Sequence, residues 1–147
     1  MATTLTRVLL HVTFSTRERA PLIGAEIEGD LFAYTGGICP RFESPLLAMG
    51  GSDDHVHLCI SLSKNVAIAS LMMELKRDTS KWMKQHTSNF AWQDGYFAWS
   101  IGESGLPALR RYITGQRAHH ERRSFQDELR GICAKYGLEV DERYAWK

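Results

Sequence analysis

The sequence predicts an α+β domain, with an antiparallel, ferredoxin-like or RRM-like sheet covered by helices on one face and further helices toward the C-terminus. Three observations lead there. Segments Val8–Phe14 and His55–Leu62 alternate in side-chain character with the two-residue period of a strand. Segments from Ala25 to Ile38 and from about Ala67 to Gln85 carry apolar residues at helical spacing. The order strand, helix, strand, strand, helix, strand, then helices, is that of a split βαβ sheet.

In the first strand Val8, Leu10, Val12 and Phe14 alternate with Leu9, His11 and Thr13, as in a half-buried strand. A charged loop with Pro21 follows, then a first helix bearing Ile27, Leu31, Tyr34 and Ile38. Pro40 and Pro45 end that region, and Leu46–Met49 reads as a short strand entering a turn at Gly50 and Gly51. In the next strand Val56, Leu58, Ile60 and Leu62 point one way, and His55, His57, Cys59 and Ser61 the other. The second helix gathers Ile68, Leu71, Met72, Leu75, Trp82 and Met83 on one face and lysines on the opposite face. Tyr96–Ile101 reads as the fourth strand. Ser104 is the expected cap of a third helix with Pro107 in its first turn, where the missing N–H costs nothing. Ser124 with Asp127 has the spacing of a capping box and marks a new helix or a sharp break before Phe125. Leu138–Lys147, with Tyr144 and Trp146, is left to pack back on the domain or reach a partner.

A chain of 147 residues, 44% hydrophobic, fits a single domain spanning 1–147. Cys39, Cys59 and Cys133 lack paired short spacings, which argues against a secreted disulfide framework and for a reducing cytoplasm. The polar start Met1–Arg7 has no basic-then-apolar leader, and no apolar run approaches the roughly 18 residues a membrane helix needs, so a soluble protein without a membrane partner is expected. The net charge of +1 gives no argument for nucleic acid. The distribution is more informative, with five arginines against the single acid Glu121 between Arg110 and Arg123, and a second cluster of Lys76, Arg77, Lys81 and Lys84. These stretches are either a phosphate-tracking surface or ordinary solvated helix faces.

The chemistry-bearing residues begin with His55 and His57. Two strand residues apart, about 7 Å at the backbone, their imidazoles can meet one ion or simply line a polar sheet face. Cys59 shares that face, so a zinc set of His55, His57 and Cys59 is an open alternative to plain core filler. Tyr112 and Gln116, four apart on the third helix, share a face and could look at the same ion or phosphate. Tyrosine, with an ordinary pKa near 10, needs a cationic neighbourhood or a base to become a nucleophile. On its own it reads far more readily as a packed aromatic with a tethered hydroxyl than as a catalytic group.

Several separated segments together resemble the small single-tyrosine HUH transposases of insertion sequences. They are Phe14-Ser15-Thr16, Gly50 through Leu58, Leu75-Lys76, Phe90 through Tyr96, Arg110-Arg111-Tyr112-Ile113 with Gln116, and His119-His120. The chain also resembles their chromosomally housed relatives associated with repetitive extragenic palindromes. The resemblance implies that His55, His57 and Gln116 hold a divalent ion, magnesium or manganese, and that Tyr112 on its C-terminal helix is the nucleophile. It further implies a transposase that cuts and rejoins single-stranded DNA through a 5′-phosphotyrosine. The substrate would lie near a hairpin and the enzyme would be a homodimer, in the cytoplasm of a bacterial or archaeal cell and nucleoid-associated during action. Lys76, Arg77, Arg110 and Arg111 are the expected DNA contacts by charge and placement. Where the family often has proline before the acid that precedes the histidines, this chain has Ser52-Asp53-Asp54, an added negative charge expected beside the ion. The alternatives are a non-catalytic single-stranded nucleic-acid-binding module, using aromatics such as Tyr96 or Trp99 for stacking, and a zinc hydrolase using Cys59.

Overall fold

The computed structural model describes residues 2–120 and 123–147; Met1 and, within the basic stretch read between Arg110 and Arg123, Glu121 and Arg122 lie outside the described residues. The elements are β1 (Val8–Ser15), α1 (Ala25–Ile38), β2 (Leu46–Gly51), β3 (His55–Leu62), α2 (Ile68–Lys84), β4 (Phe97–Ile101), α3 (Leu106–Thr114), α4 (Gln116–His120) and α5 (Phe125–Lys135). The strands form one antiparallel sheet in the order β2-β3-β1-β4, the ferredoxin-like arrangement the element order predicts.

The two-residue period of β1 and β3 sorts their side chains onto two differently filled faces. On one, Leu10, Val12, Phe14, Val56, Leu58 and Ile60 pack against Leu31 and Ile38 of α1 and Leu71, Met72, Leu75 and Met83 of α2. Each such side chain taken out of water stabilises the fold by about 1.5–3 kcal/mol. β1, read from its pattern as half-buried, is buried from Leu9 through Ser15, because the C-terminal third of the chain returns over the second face. There Leu9 and Cys59 meet Leu106 and Ile113, while Trp99 meets Phe125, Leu129 and Cys133. The final segment also packs back: Trp146 joins that last cluster, and the Gln93 amide donates to the Ala145 carbonyl at 3.0 Å.

Local details depart from the sequence reading in three places. Ser104 does not cap α3; it lies inside a 3-10 turn, Glu103–Gly105, and Gly105 takes the cap position without a side-chain bond, while Pro107 does fall in the first turn. The helix bearing Tyr112 does not continue through Gln116. It ends at Gly115 (φ −93°, ψ 11°), whose N–H still reaches the Arg111 carbonyl at 3.1 Å, and Gln116 opens α4. Glycine lowers helix stability by about 1 kcal/mol relative to alanine, so the break falls where continuing is least favourable. At the following helix the expected cap is present, with Ser124 Oγ accepting from the Asp127 N–H at 3.2 Å.

Gly50 and Gly51 belong to β2 rather than to a turn. A Cβ on Gly50 would stand 1.9 Å from the Ile113 carbonyl oxygen, so the missing side chain is what lets α3 lie directly on the strand. Gly50→Ala is expected to lift α3 and cost about 1–3 kcal/mol, the range for overpacking, read as a lower denaturation midpoint in urea. Unchanged stability would show that α3 is not held by this contact.

Candidate active site

The polar side chains of the second sheet face converge under α3, α4 and α5. Because β1 and β3 pair with Thr13 opposite His57 and His11 opposite Cys59, the His11 ring falls diagonally beside His57. Its Nε2 lies 2.7 Å from His57 Nδ1. His57 Nε2 in turn donates to Glu128 Oε1 on α5 at 2.9 Å. His55 donates from Nδ1 to Asp54 at 2.8 Å and turns Nε2 toward Gln116 Oε1 at 3.0 Å. Glu128 sits at the centre: it also accepts from His120 Nε2 at 3.1 Å, from Gln116 Nε2 at 3.2 Å and from the Tyr112 hydroxyl. His55, His57 and Gln116 are fully buried, and Glu128 almost so.

This packing sets the charges. Burial lowers His57 to a pKa of about 4, against the pull of the Glu128 carboxylate; burial and then the charge of His57 lower His11 to about 3. Burial alone would raise Glu128, but the hydrogen bonds from His120, His57 and Tyr112 outweigh it and hold the carboxylate far below its ordinary range. Burial, and next the bond to Glu128, push the Tyr112 phenol upward, so here the tyrosine is a hydrogen-bond donor and not a phenolate.

Folding thus keeps His57 and His11 neutral while the unfolded chain takes up protons on them below pH 6.5. Their cost to stability is absent above pH 6.5 and grows as the pH falls toward 4, reaching about 3 kcal/mol for His57 alone. Thermal unfolding of the metal-free protein is expected to show a midpoint steady above pH 7 and falling steeply between pH 6.5 and 4. A flat profile would show that these rings are not buried neutral.

The donor set fits a metal ion. Ligand atoms of His55, His57, His120 and Glu128 lie within 4.8 Å of one another. Asp54 and His11 fix the far nitrogens of the two β3 histidines, the outer support that metal-bound imidazoles ordinarily have. His55 Nε2 and Gln116 Oε1 lie 3.0 Å apart, and the Gln116 amide donates to Glu128 at 3.2 Å, so the imidazole nitrogen and the amide oxygen face the same point as the carboxylate.

The structure therefore brings together Tyr112, His55, His57 and Gln116, although Gln116 arrives from a separate helix. The expected DNA contacts are dispersed. Lys76 and Arg77 lie on α2, whose buried residues pack on the opposite sheet face. The Lys76 ammonium donates to the carbonyls of Gln93 and Gly95 at 2.7 and 2.6 Å, and burial lowers its pKa to about 8. Arg77 pairs with Glu74 and Asp78. Arg110 and Arg111 are exposed on α3. Asp53 does not face the ligand atoms; its carboxylate meets Arg117 at 2.6 Å, and Arg117 also binds Glu28 at 2.8 Å, tying α4 to α1. Cys59 is buried with Leu9, Leu106 and Ile113, outside the His and Glu group.

Sequence reasoning assigned no role to Glu128, His120, His11 or Asp54. The available signal for Glu128 was an acid set between Phe125, Leu129, Ile132 and Cys133, a stripe that is otherwise apolar.

Fold and site define a class: a ferredoxin-like α+β protein with a buried histidine and carboxylate centre beside a tyrosine. The family is equally plain, for the sequence profile of the IS200-like transposases matches residues 4–116, and the chain belongs to that family. Among solved structures it is similar to a transposase crystallised from Deinococcus radiodurans R1, with TM-score 0.64 and 18% identity over 80% of this chain and 96% of that one. It is also similar to a REP-associated tyrosine transposase bound to a REP hairpin, with TM-score 0.58 and 15% identity over 77% of this chain and 68% of the other. No curated protein matches the sequence. Among the described residues no helix is long and apolar enough to cross a membrane. The family match ends at Gln116, so His119, His120 and Glu128 come from a segment beyond it.

Proposed function

We propose that this chain, as one domain over 1–147, is a transposase that cleaves and rejoins single-stranded DNA through a 5′-phosphotyrosine on Tyr112. The observation that carries the reading is the convergence of His55, His57, Gln116 and Tyr112 on one buried point in an IS200-like chain. His55, His57 and Gln116 would hold a divalent ion, with His120 and Glu128 within reach of it. When bound, the ion supplies Lewis-acid polarisation of the scissile phosphate. Imidazole donors suit manganese better than magnesium, which prefers oxygen.

The residues of the chain do the rest. Tyr112 Oη forms a bond to phosphorus as the bond to the 3′ oxygen breaks; the phenol proton passes to water as the hydroxyl leaves Glu128, whose depressed carboxylate is too weak a base to keep it, and water returns a proton to the departing 3′ oxygen. The phosphodiester energy is kept in the tyrosyl linkage, so a second 3′-hydroxyl can reverse the step without ATP. Here Tyr112 stands beside the histidines of its own chain, its ring 5.7 Å from that of His57, which supports assembly of the site within one chain. A homodimer, hairpin DNA as in the REP-bound neighbour, and action on the nucleoid complete the proposal, with Arg110 and Arg111 better placed than Lys76 and Arg77 to meet the DNA.

The test incubates purified protein with a labelled single-stranded oligonucleotide bearing its flanking hairpin and magnesium or manganese. A denaturation-resistant protein–DNA adduct that chelator removes is expected. Binding with neither adduct nor nick in either metal would replace catalysis by a binding-module role.

A further inference from the structure

We propose that the cavity between α3 and α5, beside Tyr112, binds the nucleoside adjoining the scissile phosphate of single-stranded DNA; this rests on the strand-cleavage reading above. The cavity has a volume of about 400 Å³ and opens against Tyr112, His119 and Glu128. That volume falls in the range of small-ligand sites, about 300–1,000 Å³.

Its walls suit a base. Leu109 and Ile101 form an apolar side, Ile132 faces them from α5, and Gly131 leaves space where a side chain would intrude on Arg123. Tyr136 is 47% exposed, yet its hydroxyl is fixed to the Ser100 carbonyl at 2.9 Å, so its ring is a held surface on which a base can stack. Arg123 and Lys135 line the same cavity and complement a phosphodiester.

A second observation points to a ligand. His119 Nε2 is buried at this cavity with no hydrogen-bond partner among the described residues, 3.4 Å from Glu128 in a geometry that makes no bond. An unsatisfied buried polar atom is costly. A turn of the partly exposed His119 ring toward the cavity would bring it to the edge of a nucleobase, which offers the donor or acceptor it lacks.

The experiment follows the amide spectrum of the intact, metal-free chain by NMR while dAMP, dGMP, dCMP, dTMP or inorganic phosphate is added. The nucleotides are expected to shift Leu109, Gly131 and Ile132 with dissociation constants of the order of 1 mM, at least about tenfold tighter than phosphate. Ile132→Trp, which fills the cavity, and the exposed Lys135→Glu, which leaves the core untouched, should each weaken the response, by about tenfold and about threefold. Phosphate reproducing every shift, shifts confined to the basic face of α2, or unaltered affinity in both variants would overturn the site. Adduct formation by the same preparation separates the two readings. An adduct without a cavity response rejects the nucleoside site and leaves strand cleavage standing, whereas a cavity response without an adduct removes the chemistry from this site.

Discussion

Tyr112→Phe is expected to abolish the covalent protein–DNA adduct, a loss of at least about 10⁴-fold in the rate of strand cleavage, as for other enzymes deprived of their covalent nucleophile. The change removes one oxygen and keeps the ring, which packs against the cluster of Leu9, Cys59, Leu106 and Ile113. Glu128 loses one of its donors but retains His57, His120 and Gln116. The cost in stability should therefore be limited to about 1.5–3 kcal/mol, the size of one hydrogen bond to a charged group. Binding of the hairpin oligonucleotide should be unchanged. The measurement is a denaturing gel of protein incubated with end-labelled DNA, alongside a denaturant titration of both proteins. Residual adduct in the variant would mean that another side chain attacks, and Tyr112 would then be a packed aromatic with a tethered hydroxyl.

What the sequence revealed of this site follows the range over which its information acts. The alternation in His55–Leu62 is local, and it placed both imidazoles on one face with correct strand limits. The helix Ala25–Ile38 was equally legible, since its apolar spacing is a property of the segment alone. Gly115 was ambiguous: a helical pattern runs through it, and only the packing of α4 against the turn before β3, through Arg117 and Asp53, shows that the chain breaks there. Gly50 was read as a turn because glycine signals turns more often than close approach; that α3 crosses it is a tertiary fact. His11 was invisible as a partner of His57 because their meeting depends on the register between β1 and β3. Glu128 lay furthest out of reach. An acid on a helix reads as solvated, and its burial depends on the docking of the whole of α5.

That docking gives Glu128 a double part. Its carboxylate is the common acceptor for His57, His120, Gln116 and Tyr112, groups from β3, α4 and α3. It closes the site and keeps the tyrosine protonated. A cation among the same ligands would draw on the same carboxylate and weaken its hold on the phenol, so in the proposed reaction ion binding and release of Tyr112 would be coupled through one side chain.

Glu128→Ala should therefore act on stability and on the ion together. Removing the acceptor leaves several buried donors without a partner, a change that costs about 3–5 kcal/mol when a buried ionic contact is broken. For a chain of this length that corresponds to a fall of roughly 10 °C in Tm. Affinity for manganese, followed by the spectrum of the free ion during titration, should weaken by about tenfold or more. Glu128→Gln keeps the volume but turns an amide donor toward Tyr112 or Gln116, so it should recover part of the stability and little of the affinity. The phenol of Tyr112 should titrate lower in both variants, since one cause of its upward shift is gone and burial remains. An Ala variant as stable as the parent would show that α5 docks through Phe125, Leu129 and Cys133 alone. Unchanged manganese binding would confine the ion to His55, His57 and Gln116, and leave Glu128 as a lock on the tyrosine rather than a ligand.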